Sequence, residues 1–287
     1  MGLKLITKIE TVKTLLEALP FIKEFSNQIV VIKYGGSAQT SPQLKEKFAE
    51  DILLMYLVGI KPVIVHGGGK KITQMLDALK IDTKFIEGQR VTTKEVMRIV
   101  EMILSGEINK EIVSLLNLHG AKAIGISGKD AHFITAEAKD FSKWGLTGNI
   151  TNVKPDVLSN LIKEKFVPVI APIAAGKEMG HPGFNINADL CASYVAKSIG
   201  ANKIIFLTDT EGVLNKNKEL LSSLSEKEVQ ALKDDGTIQG GMVPKVDACL
   251  EAIAGGVKKA HIIDGRLEHS MLLELFTSEG IGTQIVK

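Results

Sequence analysis

Aromatic side chains are scarce: they make up 5% of the 287 residues, too few to build platforms on which bases stack. Charge imbalance is also lacking. The formal net charge is +2, with lysines and glutamates interspersed, so no basic face is offered to a nucleic acid. There are two cysteines, Cys191 and Cys249. Both fall in apolar, helix-like patterns outside any metal-spaced motif, which reads as buried, reduced thiols in a cytosolic protein. No apolar run approaches the ~20 residues needed to span a bilayer. The start, Met-Gly-Leu-Lys-Leu-Ile, has no signal-peptide core, and Ile6 fails the myristoylation pattern. The expectation is a cytoplasmic protein with neither membrane nor nucleic-acid partners.

Several catalytic signatures are missing too. No Gly-x-x-x-x-Gly-Lys-Ser/Thr occurs, since Gly125-Ile-Ser-Gly-Lys129 is too short, and no Gly-x-Gly-x-x-Gly follows the first expected strand. There is no Gly-x-Ser-x-Gly elbow and no His-Glu-x-x-His. The six histidines are scattered, which argues against a histidine-built metal site.

What is present is an ordinary globular composition, 45% hydrophobic and 24% charged, in a chain long enough for one large or two moderate domains. The strongest local signal is Val63-Ile-Val-His66-Gly-Gly-Gly69-Lys-Lys71, followed by apolar residues at helical spacing (Ile72, Met75, Leu76, Leu79). It predicts a buried strand, a tight turn without Cβ atoms and a helix N-terminus. Such a junction gathers unpaired N–H groups and the positive end of a helix dipole, which suits an anion. A second copy lies upstream, where a strand over 28–33 runs into Tyr34-Gly35-Gly36-Ser37. A helix over 42–58 and a strand over 62–65 complete a βαβα unit. That unit implies a parallel sheet with both glycine loops at its carboxyl edge, where open α/β folds bind ligands.

The remaining pattern follows in order. Residues 9–25 have helical periodicity, with a break or kink expected near Pro20. Gly88-Gln-Arg90-Val-Thr-Thr93 ends in threonine caps, and two helical stretches run to His119-Gly120. A strand at 123–126, a β-hairpin excursion between His132 and Val153, and a strand over 167–172 come next. After a soft boundary near 175–183, a helix capped by residues 184–189 and running to about 199 is expected, with further helices at 225–233 and 270–276 and strands at 203–207, 260–263 and 283–286. The division is 1–25 as an N-terminal helix whose apolar face must find a partner in the body or in another subunit, 26–178 as an N-terminal lobe and 179–287 as a C-terminal lobe. The fold class is α/β: an open, mostly parallel central sheet flanked by helices.

Three charged residues stand out. Lys33 ends a buried strand just before a glycine loop, where its ammonium either snorkels or reaches a site at the sheet edge. Lys245 opens a helix after Gly240-Gly241 and Pro244, where a cation opposes the helix dipole unless an anion bridges it. Asp189 follows two asparagines in a helix's first turn, either as ordinary capping or as part of a site.

Together these parts resemble the amino-acid kinase family. The resemblance covers essentially the whole chain. It rests on Val-Ile-Lys33-Tyr-Gly-Gly-Ser, Val-His-Gly-Gly-Gly69, Gly-Gln-Arg90-Val-Thr, Asn185-Ile-Asn187-Ala-Asp189, Leu-Thr-Asp209-x-x-Gly-Val-Leu and Gly-Gly-Met-Val-Pro-Lys245, in that order. It implies transfer of the γ-phosphoryl group of ATP, carried with Mg²⁺, to a carboxylate, specifically the side chain of N-acetyl-L-glutamate in arginine biosynthesis. Lys33 and Lys245 would stabilise the transition state, and Asp189 would hold both ammoniums. Gly68, Gly69, Arg90, Asn185 and Asn187 would bind the acetylated substrate. Gly35, Gly36, Thr208, Asp209 and Gly212 would bind the nucleotide. A longer acceptor such as N-acetyl-aminoadipate, and a non-catalytic sensor of arginine or nucleotide, stand as alternatives.

The run His261-Ile-Ile-Asp-Gly-Arg266-x-x-His269 through Glu274 to Gly280-Ile-Gly282-Thr resembles arginine-inhibited members of the family. The resemblance implies L-arginine as an effector at His261, Glu274 and Gly280. It also implies a homo-oligomer, a hexamer built as a trimer of dimers through the N-terminal helix, and leaves a PII-type signalling protein open as a partner. The plainer readings are a solvated Glu274 and a helix docked on its own subunit.

Overall fold

The computed structural model describes residues 2–287; Met1, the first residue of the expected N-terminal segment, lies outside them. One eight-stranded sheet organises the chain, in the order Ser223–Ser225, Thr283–Val286, Lys259–Asp264, Lys203–Thr208, Ile29–Tyr34, Lys61–His66, Val167–Ala171, Ala123–Ser127. Neighbours are parallel except Lys259–Asp264 against Thr283–Val286. The inner strands are near-continuous β-branched runs, with Val30, Val31, Ile32, Val63, Ile64 and Val65 fully buried, as a sheet covered on both faces requires.

Strand order reverses at Ile29–Tyr34. The chain moves one way to Lys61–His66 through helix Pro42–Leu57, and later lies on the other side in Lys203–Thr208 and Lys259–Asp264. Right-handed crossovers running in opposite directions put their helices on opposite faces. Pro42–Leu57 and Asn109–His119 therefore pack together on one face, and Ala188–Ser198 and Val243–Ala254 on the other. The reversal leaves a crevice beyond the carboxyl ends of the central strands.

Three two-stranded ribbons rise at that edge: Phe85–Ile86 with Gln89–Arg90, Ile134–Ala138 with Gly148–Val153, and Ile173–Ala174 with Phe184–Asn185. Cys191 and Cys249 are buried and free. Among the described residues no helix is long and apolar enough to cross a membrane.

One local expectation is corrected: no break forms at Pro20. The N-terminal helix runs unbroken from Gly2 to Phe25 through Pro20. A proline removes one backbone bond but need not end a helix whose next turn is anchored, and Phe21 and Phe25 pack against the core. The two helical stretches expected after Thr93 are Lys94–Glu101 and Asn109–His119, joined without a gap by a π-helical segment Met102–Ile108. The Thr93 cap is present, with its hydroxyl accepting from the Val96 amide at 3.2 Å.

Candidate active site

Asp189 sits in the first turn of Ala188–Ser198, on a cap made by Asn187, whose Oδ1 accepts from the amides of Asp189 and Leu190 at 2.9 and 3.1 Å. Its carboxylate meets two ammoniums, Lys33 Nζ at 3.0 Å from Oδ1 and Lys245 Nζ at 3.3 Å from Oδ2. The Lys245 contact is a directed hydrogen bond, whereas Oδ1 has charge pairing without one. Burial pushes the Asp189 pKa up, but the two lysines together outweigh it and hold it below the usual aspartate value. Lys33 and Lys245 come from opposite ends of the sequence, and both are drawn to the crevice by one acid.

The two glycine loops flank this cluster. Gly36 has φ +68°, and a Cβ there would lie 2.5 Å from Oδ1 of Asp209, which itself accepts from the Ser37 amide at 2.7 Å. Asp209 thus grips the first loop from the end of Lys203–Thr208, with Thr208 buried behind it. In the second loop, a Cβ on Gly68 would fall 2.3 Å from Ile108 Cδ1, so the π-helical segment is packed directly on the turn. Gly212 lies apart from this cluster: a Cβ there would be 2.6 Å from both Leu220 and Thr283, which makes it a packing glycine against strand Thr283–Val286.

Beside the second loop is a cavity of about 200 Å³, lined by Gly67, Gly68, Gly69, Phe85, Arg90, Asn185 and Asn187. Arg90 is buried, its guanidinium donating to Thr73 Oγ1 at 2.7 Å and the Gly69 carbonyl at 3.2 Å and lying 4.6 Å from the Phe85 ring centre. These partners are uncharged, and burial lowers its pKa. Asp77 opposes that lowering through space, but among the described residues no carboxylate hydrogen-bonds the guanidinium, and a guanidinium so placed at a cavity wall can pair with one. Thr147 and Thr92, which the sequence did not single out, fix its backbone. Thr147 donates to the Arg90 carbonyl at 2.6 Å, and Thr92 shares a 3.0 Å hydroxyl contact with Thr147 while accepting from Asn185 at 3.1 Å. Only Thr92, inside the Arg90 motif, carried any signal.

A second polar cavity, about 290 Å³, lies between the N-terminal helix and the far edge of the sheet. It contains His261, Glu274 and Gly280 together with Phe21, Phe25 and Lys203. Glu274 is not a solvated helix charge: it is buried, 2.5 Å from His261 Nδ1 and 3.3 Å from Lys203 Nζ, and accepts from the Ile281 amide at 3.2 Å. Burial raises its pKa, yet His261 and Lys203 prevail and bring it down to about 2. Nε2 of His261 is buried without a partner. Gly280 has φ +63°, and a Cβ there would meet Glu274 Oε2 at 2.8 Å. Lys203, read from sequence only as a strand start, is the residue missed here.

Residues 28–264 match the model of the amino acid kinase family. Over 278 residues, 97% of this chain and 98% of the relative, the sequence is 84% identical to the acetylglutamate kinase of Sulfurimonas denitrificans. It is 71% identical to the acetylglutamate kinase of Nitratiruptor sp. over 279 residues, 97% of this chain and 98% of that one. Among solved structures, the N-acetylglutamate synthase of Neisseria gonorrhoeae, complexed with coenzyme A and N-acetyl-glutamate, superposes with a TM-score of 0.85 at 25% identity. That match covers 96% of this chain and 63% of the synthase. By sequence and fold, the chain belongs to the amino acid kinase family.

Proposed function

We propose that this enzyme transfers the γ-phosphoryl group of ATP to the side-chain carboxylate of N-acetyl-L-glutamate, giving N-acetyl-L-glutamyl 5-phosphate and ADP in arginine biosynthesis. The observation that carries it is the Lys33–Asp189–Lys245 cluster set between two glycine loops and beside the Arg90 cavity. The acceptor is already an ionised carboxylate, so no general base is required. The difficulty is to bring anions together, and the cluster supplies positive charge for that. Asp189 keeps the two ammoniums from repelling each other apart, and the amides of the glycine loops add donors without side-chain bulk. Arg90, with Asn185 and Asn187, takes the rest of the acetylated substrate. Asp209 and Thr208 lie where the first loop would meet nucleotide phosphates. Gly212 contributes to the nucleotide side through the packing of its loop.

Mg²⁺ fits as an ion carried by the nucleotide phosphates. The one buried carboxylate of the cluster is engaged in ion pairs with two lysines, and among the described residues no group of three His, Cys, Asp or Glu side chains could hold a metal. The division into lobes at 178/179 is part of this reading: Gly68, Gly69 and Arg90 of the acceptor set lie before it and Thr208, Asp209 and Gly212 of the nucleotide set after it, while Asn185 and Asn187 serve the acceptor from beyond it and Gly35 and Gly36 the nucleotide from before it. The test is ADP release measured by a coupled assay with and without N-acetyl-L-glutamate. Release dependent on it supports the reading. Equal release with N-acetyl-aminoadipate would point to the longer acceptor, and none with any acidic amino acid would leave a sensor.

The second cavity supports a regulatory reading: L-arginine binds against Glu274, His261 and the Gly280 loop, under Phe21 and Phe25 of the N-terminal helix. The outer face of that helix leaves Val12, Leu15 and Leu16 more than half exposed (54, 65 and 59%), an apolar stripe suited to a second subunit and to the hexamer.

A further inference from the structure

His66 ends the strand Lys61–His66 just before the glycine turn, and its side chain is fully buried. The chemistry above leaves it unused. Nδ1 lies 3.0 Å from the carbonyl oxygen of Gly67, and Nε2 lies 3.2 Å from Nδ2 of Asn109. A carbonyl can only accept, so the ring proton sits on Nδ1. The orientation of the Asn109 amide is fixed independently. Its Nδ2 also donates to the Val169 carbonyl at 2.9 Å, and its Oδ1 accepts from the Lys110 ammonium at 3.0 Å. Asn109 therefore offers Nε2 a donor, and Nε2 carries no proton. Burial, which lowers the His66 pKa to about 4, agrees with a neutral ring.

The Gly67 peptide is held from other directions as well. Its N–H donates to the Tyr34 carbonyl at 2.8 Å, and its carbonyl also accepts from Gln39 Nε2 at 3.4 Å. Three successive glycines have no preferred orientation of their own, so the direction of their amides has to be imposed from outside.

We propose that His66 and Asn109 are positioning residues. Asn109 holds His66 as the neutral Nδ1–H tautomer, and that proton fixes the Gly67 peptide so that the amides of Gly68 and Gly69 face the reacting groups. This rests on the kinase reading above.

The two amide replacements separate the ring nitrogens. His66→Asn places an amide nitrogen near Nδ1 and keeps the donor to Gly67, while His66→Gln reaches toward Asn109 and gives that donor up. Both lose similar packing, so the difference between them isolates the bond. His66→Asn should retain turnover within ~10-fold of wild type, whereas His66→Gln should lose ~10²-fold in kcat, the scale of a small misplacement of reacting groups. The KM values for ATP and acetylglutamate should change far less. Equal losses in the two variants, no loss in His66→Gln, or a change in KM alone would overturn the proposal. Nitrogen NMR of wild-type His66 reads the tautomer without reference to turnover and covers the case of variants that do not fold. A proton found on Nε2 overturns the proposal, and a bare Nε2 with protonated Nδ1 supports it. If the wild type released no ADP with acetylglutamate, the kinase reading would fail on its own assay while the tautomer was still decided by NMR.

Discussion

Lys33 and Asp189 meet at 3.0 Å across the crevice, one from the end of the central strand and the other from the first turn of a helix beyond it. Lys245 reaches the second oxygen of the same carboxylate. One acid between two ammoniums leaves the cluster net positive in a buried place, and that surplus is available to an anion. Charges held in place by one another, rather than by solvent, are the condition for electrostatic catalysis.

Removing either cation should therefore act on turnover rather than on affinity. Lys33→Ala and Lys245→Ala are each expected to lower kcat by ~10²–10³-fold, as for loss of a preorganised charge at the transition state. The KM for acetylglutamate should move little. Steady-state kinetics on the two variants checks this, and near-normal turnover in either would remove that lysine from the mechanism.

Asp189 makes a prediction about pH. Its pKa is lowered on folding, because Lys33 and Lys245 outweigh its burial. A depressed carboxylate contributes stability that is present above its unfolded value of ~3.9 and is lost as pH falls through the folded value. Wild type should thus be more stable than Asp189→Asn above about pH 4, with the gap narrowing in more acid solution. Denaturant midpoints across pH 2.5 to 7 measure it. A gap that widened on acidification would have the wrong sign and would mean that the lysines do not hold the charged form.

Much of this cluster was legible because its parts fall inside local signals: glycines after strands, an asparagine cap before Asp189, a lysine after a glycine pair. The rest depends on long-range placement. Thr147 lies in a plain turn, and only the ribbon Ile134–Ala138 with Gly148–Val153 carries it to the Arg90 carbonyl. Lys203 looked like any strand start until the sheet set it beside Glu274. Pro20 reads as a helix breaker locally, and the packing of Phe21 and Phe25 overrides it. Gly212 sits in the Leu-Thr-Asp209-x-x-Gly-Val-Leu motif, yet its neighbours are Leu220 and Thr283 rather than the cluster.

Arg90 gives a cleaner separation of the two substrates. Its Nη2 holds Thr73 and the Gly69 carbonyl, Nη1 lies 3.5 Å from Thr83 Oγ1, and the guanidinium lines the cavity; an ammonium cannot present that planar pair of nitrogens. Arg90→Lys should raise the KM for acetylglutamate by ~10-fold or more while the KM for ATP stays nearly unchanged. A fall in ATP affinity instead would place Arg90 on the nucleotide side.

Regulation by arginine can be tested so that the binding site and the assembly are told apart. Deleting residues 1–25 removes the exposed stripe of Val12, Leu15 and Leu16, but it also removes Phe21 and Phe25 from the cavity wall. Smaller oligomers with weak inhibition are expected from it, for either reason. Leu16→Asp is the sharper variant, because it charges the stripe and leaves the wall in place. It should dissociate the assembly, retain catalytic turnover and still bind arginine by calorimetry, yet be inhibited at far higher arginine concentrations than wild type. Glu274→Ala should do the reverse, keeping the assembly and losing arginine binding, since the guanidinium loses its buried carboxylate. The logic is linkage: an effector shifts activity only through a state that it binds more tightly, and here that state would be one geometry of the subunits around the N-terminal helices. If Leu16→Asp broke the assembly and inhibition stayed as strong as before, the coupling would run inside one subunit, from Glu274 along strand Lys203–Thr208 to Asp209 and the first glycine loop.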